Sequence, residues 1–90
     1  MPYKMVYAAR FIEDASCVWS GRLRAAIVRA LSNIEEFPEI GSQNLPASVK
    51  DEFDDSVRKV AIKPFDLVYE FKKSENAVYI YALVPMRSIR

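Results

Sequence analysis

The chain has no histidine and one cysteine, Cys17. An internal disulfide is therefore excluded, and no zinc set can be drawn from cysteine and histidine. A lone cysteine in an apolar helical stretch is expected to behave as a small core hydrophobe. Long hydrophobic runs are absent too: stretches such as Ala82-Leu83-Val84-Pro85-Met86 fall far short of the roughly 20 residues needed to cross a bilayer. The opening Met1-Pro2-Tyr3-Lys4 lacks the basic head and apolar body of a secretory signal, so a cytoplasmic protein without membrane contact is expected. Charge of one sign is scarce as well. The net formal charge is only +1, so any nucleic-acid contact has to come from a local patch rather than a global field. The carboxylates Glu13, Asp14, Asp51, Glu52, Asp54 and Asp55 have neither histidine company nor the spacing of a metal site, and no cofactor is expected.

What remains is enough apolar material for one core: 51% of 90 residues, with no internal repeat and no low-complexity segment. A single domain spanning residues 1–90 is expected. Met5-Val6-Tyr7 suits a short first strand ending near Ala8. Phe11, Ala15, Val18 and Trp19 recur at helical spacing, with Glu13 and Asp14 read as lying near the positive end of the helix dipole. Ser20-Gly21 interrupts that pattern. Ser20 suits the N-cap of a second helix, in which Leu23, Ala26, Ile27, Ala30, Leu31 and Ile34 follow the i, i+3, i+4, i+7 rule. Pro38 requires that helix to stop by Phe37.

A loop-like run from Gly41 to Ala47 separates the helical half from a strand-rich half, and Ser48-Val-Lys-Asp51 has the spacing of a capping box. From Val57 the alternation becomes strand-like. Val60 and Ile62 share one face, as do Phe65, Leu67, Tyr69 and Phe71, and then Val78, Ile80, Ala82 and Val84. The intervening turns fall at Lys63-Pro64 and Ser74-Glu75-Asn76. Strands joined by such short links run antiparallel. The expected architecture is α+β: two N-terminal helices packed on a twisted antiparallel sheet in the order β-α-α-β-β-β. Phe65, Tyr69 and Phe71 are core candidates. Tyr79 and Tyr81 fall on the opposite face, where two exposed tyrosines beside lysine and arginine would make a patch for RNA bases or a protein partner. Arg58 and Lys59 alternate, so they occupy different faces of one strand.

These segments resemble the RelE/ParE superfamily of bacterial toxins. The helix tail Leu31-Ser-Asn-Ile-Glu-Glu-Phe-Pro-Glu-Ile-Gly41 is similar to the leucine-rich helix ending in Phe-Pro-x-x-Gly. Val57-Arg58-Lys59 followed by Lys63-Pro-Phe-Asp-Leu-Val-Tyr69 is similar to the basic strand leading into a Pro-aromatic strand. Val78 to Val84, then Met86-Arg87, resembles the final strand and terminal arginine. The resemblance implies the toxin of a type II toxin–antitoxin module, bound in a hetero-oligomer by a cognate antitoxin. One branch comprises ribosome-dependent messenger-RNA endonucleases and the other poisons DNA gyrase.

Metal-free RNA cleavage needs a base for the 2′-OH proton, a cation for the growing phosphate charge and a donor to the leaving oxygen. By resemblance, Lys59 and Arg87 fall on positions of the nuclease branch. Asp66 departs from it, standing where those enzymes place an arginine, and no tyrosine follows Arg87. The wording Lys-Pro-Phe-x-Leu-Val-Tyr leans instead toward the gyrase-directed branch, leaving two alternatives: a RelE-like endoribonuclease, or an inert antitoxin-binding module. Catalytic candidates are thus Lys59 and Arg87. Target or RNA contacts are Arg58, Lys63, Tyr79, Tyr81 and Arg90. Antitoxin contacts are Trp19, Arg22, Val28 and Arg29 on and beside the second helix.

Overall fold

The computed structural model describes residues 3–45 and 56–86. Strand β1 (Lys4–Tyr7) leads into α1 (Ala9–Ser16) and α2 (Gly21–Glu36), followed by β2 (Val57–Ile62), β3 (Phe65–Lys72) and β4 (Ala77–Pro85). The sheet order is β1-β4-β3-β2. As expected from their short links, β2, β3 and β4 form an antiparallel meander. β1 adds to β4 in parallel, Lys4 against Ala77 through Tyr7 against Ile80, so the sheet is mixed. A parallel neighbour needs a crossover, and the two helices and two further strands between β1 and β4 supply it. The fold is α+β in the expected element order. Among the described residues no helix is long and apolar enough to cross a membrane.

Helix α2 forms where the sequence period placed it. Ser20 caps it by accepting a hydrogen bond from the Leu23 amide (3.3 Å), and Ile27, Ala30 and Ile34 are buried against the sheet. It ends at Glu36, before the Phe37-Pro38 pair. α1 is shorter than the apolar spacing implied. Because it stops at Ser16, residues 17–19 leave the helical phase: Val18 turns inward, Cys17 is exposed rather than a core hydrophobe, and Trp19 is 91% exposed. The Arg24 Nε fixes this bend by donating to the Val18 carbonyl at 2.6 Å. Glu13 and Asp14 also sit past the first turn, which begins at Ala9, so the dipole reading does not apply to them. Asp14 instead accepts from the Leu83 amide (3.1 Å) and tethers α1 to β4.

The helix-covered face joins Phe11, Val18, Ile27, Ala30 and Ile34 to Ile62, Leu67, Tyr69, Val78, Ile80 and Leu83. Phe65 and Phe71 pack against its margin. The expected stripe of β4 is broken. A bulge where Val68 faces Ala82 and Tyr69 faces Ile80 inserts Tyr81 and shifts the alternation, sending Leu83 to the helices and Ala82 and Val84 to the other face. That second face carries its own cluster of Leu45, Val57, Val68, Ala82 and Val84.

The Phe-Pro-x-x-Gly tail has a structural reason. The Tyr69 hydroxyl donates to the Pro38 carbonyl (2.8 Å) and accepts from the Gly41 amide (2.8 Å), tying the end of α2 to the middle of β3. A Cβ at Gly41 would lie 2.5–2.9 Å from the Tyr69 ring and hydroxyl. Glycine is therefore required there for close approach.

Candidate functional site

The second face of the sheet holds the chain's most unusual chemistry. β3 and β4 are the two central strands, and most of their residues are buried on both faces, including two carboxylates: Asp66, 4% exposed, and Glu70, 6% exposed. A buried carboxylate requires hydrogen-bond donors. Glu70 has two: the Tyr81 hydroxyl donates to its Oε1 and the Ser56 hydroxyl to its Oε2, each at 2.6 Å. The bulge is what makes the first contact, since Tyr81 is the extra residue it inserts. Tyr81 also stacks on Tyr79, with ring centroids 6.4 Å apart. The Tyr79 hydroxyl donates to Glu75 at 2.5 Å, and that bond to a carboxylate raises its pKa. The Lys72 ammonium lies 4.9 Å from the Tyr79 ring centroid.

Lys59 pairs with Val68, while Asp66 and Glu70 flank Val68 along β3 on the same face. Such diagonal neighbours lie about 7–8 Å apart, within reach of a lysine side chain. Lys59 thus shares a sheet face with two buried carboxylates of the neighbouring strand, and the stacked tyrosines lie on β4, across β3 from it. The arrangement offers a cation, a proton-handling hydroxyl oriented by a carboxylate, and flat aromatic surface.

The remaining sequence candidates disperse. Arg58 lies on the helix-facing side, opposite Tyr69, and its Nη1 donates to the carbonyls of Glu39 (3.1 Å) and Gly41 (2.9 Å), bracing the same turn that Tyr69 holds. Lys63 is exposed in the β2–β3 turn, at the far end of β3 from Glu70, next to a cis Lys63–Pro64 bond. Arg87, Arg90 and the Ser48–Asp51 capping box lie outside the described residues.

The helix candidates divide into two places. Arg22 and Arg29 are one side of α2, lining a groove against β2. Val28 is on another side and lines a separate depression with Phe11, Ala15, Arg24, Ile27 and Leu31. Trp19 lines neither.

Glu70 and Ser56 were missed from sequence. Strand alternation does put Glu70 on the tyrosine face, and that was the available signal; an acidic residue there reads first as solvated. Its burial follows from β3 being central, which depends on strand order.

No family profile and no curated protein sequence matches this chain. Solved structures do. The intact RelBE toxin–antitoxin complex of E. coli superposes with a TM-score of 0.70 at 15% identity, covering 92% of this chain and 95% of that one. The RelBE2 toxin–antitoxin complex of Mycobacterium tuberculosis gives a TM-score of 0.73 at 16% identity, over 94% and 99% of the two chains. The archaeal RelE–RelB complex of Pyrococcus horikoshii gives 0.67 at 11% identity, over 96% and 97%. At these identities the likeness is one of fold, and it extends over nearly the full length of each chain. The chain therefore has the fold seen in these RelE toxin structures, as the resemblance of its sequence implied.

Proposed function

We propose that this chain is the toxin of a type II toxin–antitoxin pair, held silent in the cytoplasm by a cognate antitoxin, and that its target is translated messenger RNA. The observation that carries the reading is a RelE fold whose second sheet face gathers Lys59, Glu70, Tyr79 and Tyr81. The sequence leans toward gyrase, but the E. coli, M. tuberculosis and P. horikoshii structures whose fold it shares are RelE toxins, and the tyrosine face suits stacked bases better than a featureless binding surface would.

In this reading RNA bases stack on Tyr79 and Tyr81, and Lys59 faces the negative charge that grows on the phosphate as the 2′-oxygen attacks phosphorus. The phosphorus–5′-oxygen bond then breaks. Glu70 takes the proton of the 2′-hydroxyl and passes a proton to the Tyr81 oxygen along their hydrogen bond, while Tyr81 hands its own proton to the departing 5′-oxygen, so that both groups end in their starting states. Asp66 beside Lys59 favours a second reading, an inert antitoxin-binding module, because an anion there repels a phosphate.

Induced expression in bacteria followed by mapping of messenger 5′ ends tests these readings together. Growth arrest with codon-linked cuts is expected. Arrest with intact messages and DNA-damage signalling would return the target to gyrase, and unimpeded growth would leave the inert module.

A further inference from the structure

Helix α2 carries its charges the wrong way round for its own dipole. Arg22 and Arg24 stand in the first turn, at the positive end, and Glu35 and Glu36 in the last turn, at the negative end. No acid lies in the first turn and no base in the last. Among the described residues Arg22, Glu35 and Glu36 form no ion pair, while Arg24 donates to the Val18 carbonyl.

Exposed apolar side chains follow the same axis. Val28 sits near the middle of the 16-residue helix and is 62% exposed. Trp19, 91% exposed, precedes it by as many residues as Phe37, 61% exposed, follows it. Each alone is ordinary, but three at even spacing along one helix and its flanks mark a contact surface.

A second α2 laid antiparallel on the first, with a twofold axis at Val28, meets both features. It sets Val28 against Val28, and Trp19 of each copy against Phe37 of the other. Successive residues turn by about 100°, so Arg22 and Glu36 project from one flank of α2, and Arg24 and Glu35 from the other. The twofold axis returns each flank to itself, which brings Arg22 of one copy to Glu36 of the other and Arg24 beside Glu35. Each acid then lies at the positive end of a neighbouring helix. Ala25 and Ser32, about one turn to either side of Val28, are small and exposed, which lets the helix axes approach to about 8–10 Å. Two tryptophans and two phenylalanines, each able to bury roughly 150–250 Å², supply a large share of the roughly 1,600 Å² of a standard interface. A partner of one charge sign, nucleic acid included, would leave either the arginines or the glutamates unmet.

We infer that the outer face of α2 is an isologous interface whose occupant is a second copy of this chain, paired antiparallel about Val28. Trp19, Arg22 and Val28, grouped by the sequence as antitoxin contacts, are in this arrangement contacts between two copies. α2 covers the opposite face of the sheet from Tyr81, so the pairing stands whichever target the Lys59–Tyr81 face acts on.

Trp19 is the only tryptophan, so its fluorescence reports on the interface directly. Sedimentation of the full chain across micromolar concentrations is expected to show a monomer–dimer equilibrium, with the tryptophan emission moving to the blue as the dimer fills. Val28→Asp sets two like charges at the axis and is expected to weaken dimerisation about tenfold or more, circular dichroism checking that α2 is retained. Arg22→Glu and Glu36→Arg are each expected to weaken it, and their combination to restore it, which misfolding cannot mimic. A monomer at every concentration, a dimer with unchanged emission, indifference to Val28→Asp, or a double exchange no better than the single ones would each overturn the inference. A monomer whose emission shifts only when an acidic or a basic peptide is added would give the face to a different partner and overturn it equally.

Discussion

The two faces of one sheet bury side chains and treat polar groups in opposite ways. Against the helices the described interior is hydrocarbon, and the buried Tyr69 hydroxyl there bonds to main-chain groups just past the end of α2. On the second face, Glu70 is held by other side chains, Tyr81 and Ser56, and Lys59 and Asp66 lie nearby. Bonds to backbone fix where elements sit, so they serve the fold. Side chains that satisfy one another at a buried carboxylate contribute less to placing elements, and they hold acid–base groups together.

The largest expected effect tests the first half of that contrast. Leu67 is fully buried on the helix-covered face, and Leu67→Ala is expected to cost about 2–5 kcal/mol through lost burial and the cavity left behind. Chemical denaturation measures it. A cost below that of Val68→Ala, its neighbour on the second face, would mean that the helix-covered cluster is not the main core.

Next comes the tie between α2 and β3. Gly41→Ala drives a methyl into the Tyr69 ring and is expected to cost about 1–3 kcal/mol. Tyr69→Phe leaves the Gly41 amide and Pro38 carbonyl without their partner, a loss of about 1–3 kcal/mol. Because both changes break the same contact, the double variant should cost less than the sum. Full additivity in a thermodynamic cycle would show that the Phe-Pro-x-x-Gly tail and Tyr69 are independent.

How far this could be read in the sequence depended on whether local chemistry or strand order decided the matter. The apolar period of α2, its Ser20 cap, the stop before Pro38 and the three late strands are local, and they were legible. The fates of Cys17 and Trp19 were not, because α1 ends three residues before the apolar spacing does and the Arg24–Val18 bond sets the bend. Nor was the shift of Ala82 and Val84, since a bulge is a property of two strands in register and β4 alone alternates without interruption. The parallel placement of β1 and the burial of Glu70 follow from the order β1-β4-β3-β2, which no local pattern states. Alternation identifies the tyrosine pair and the family resemblance identifies Lys59, whereas neither points to Glu70, the carboxylate bonded to Tyr81.

A smaller effect separates the faces by pH. Burial pushes the Tyr69 hydroxyl above the ordinary value of 10.0, with the Gly41 amide opposing. The unfolded chain therefore loses this proton first. The corresponding stability is present below about pH 10 and is lost as pH climbs through that value toward the raised native pKa. Unfolding midpoints of wild type should fall more steeply than those of Tyr69→Phe across this alkaline range. Tyr79 shifts in the same direction through its bond to Glu75, so Tyr79→Phe serves as the control for the second face.

The least effect on stability should accompany the greatest effect on function, and this is where the contrast between the faces is most exposed to failure. Tyr81→Phe keeps the ring and its stacking on Tyr79 while deleting one donor to Glu70, for which the Ser56 hydroxyl remains. A cost of about 1 kcal/mol is expected, since Glu70 keeps one of its two hydroxyl donors. If Tyr81 hands a proton to the leaving oxygen, single-turnover cleavage of ribosome-bound message should fall by about 10²–10⁴-fold with little change in RNA affinity. Glu70→Gln preserves the shape and most of the bonding but removes the charge, so it should lower the cleavage rate as well and move its pH profile, which a purely structural glutamate would not do. Loss of stability without loss of cleavage in both variants would make the second face a core like the first, and the chemistry would have to be sought elsewhere on the chain.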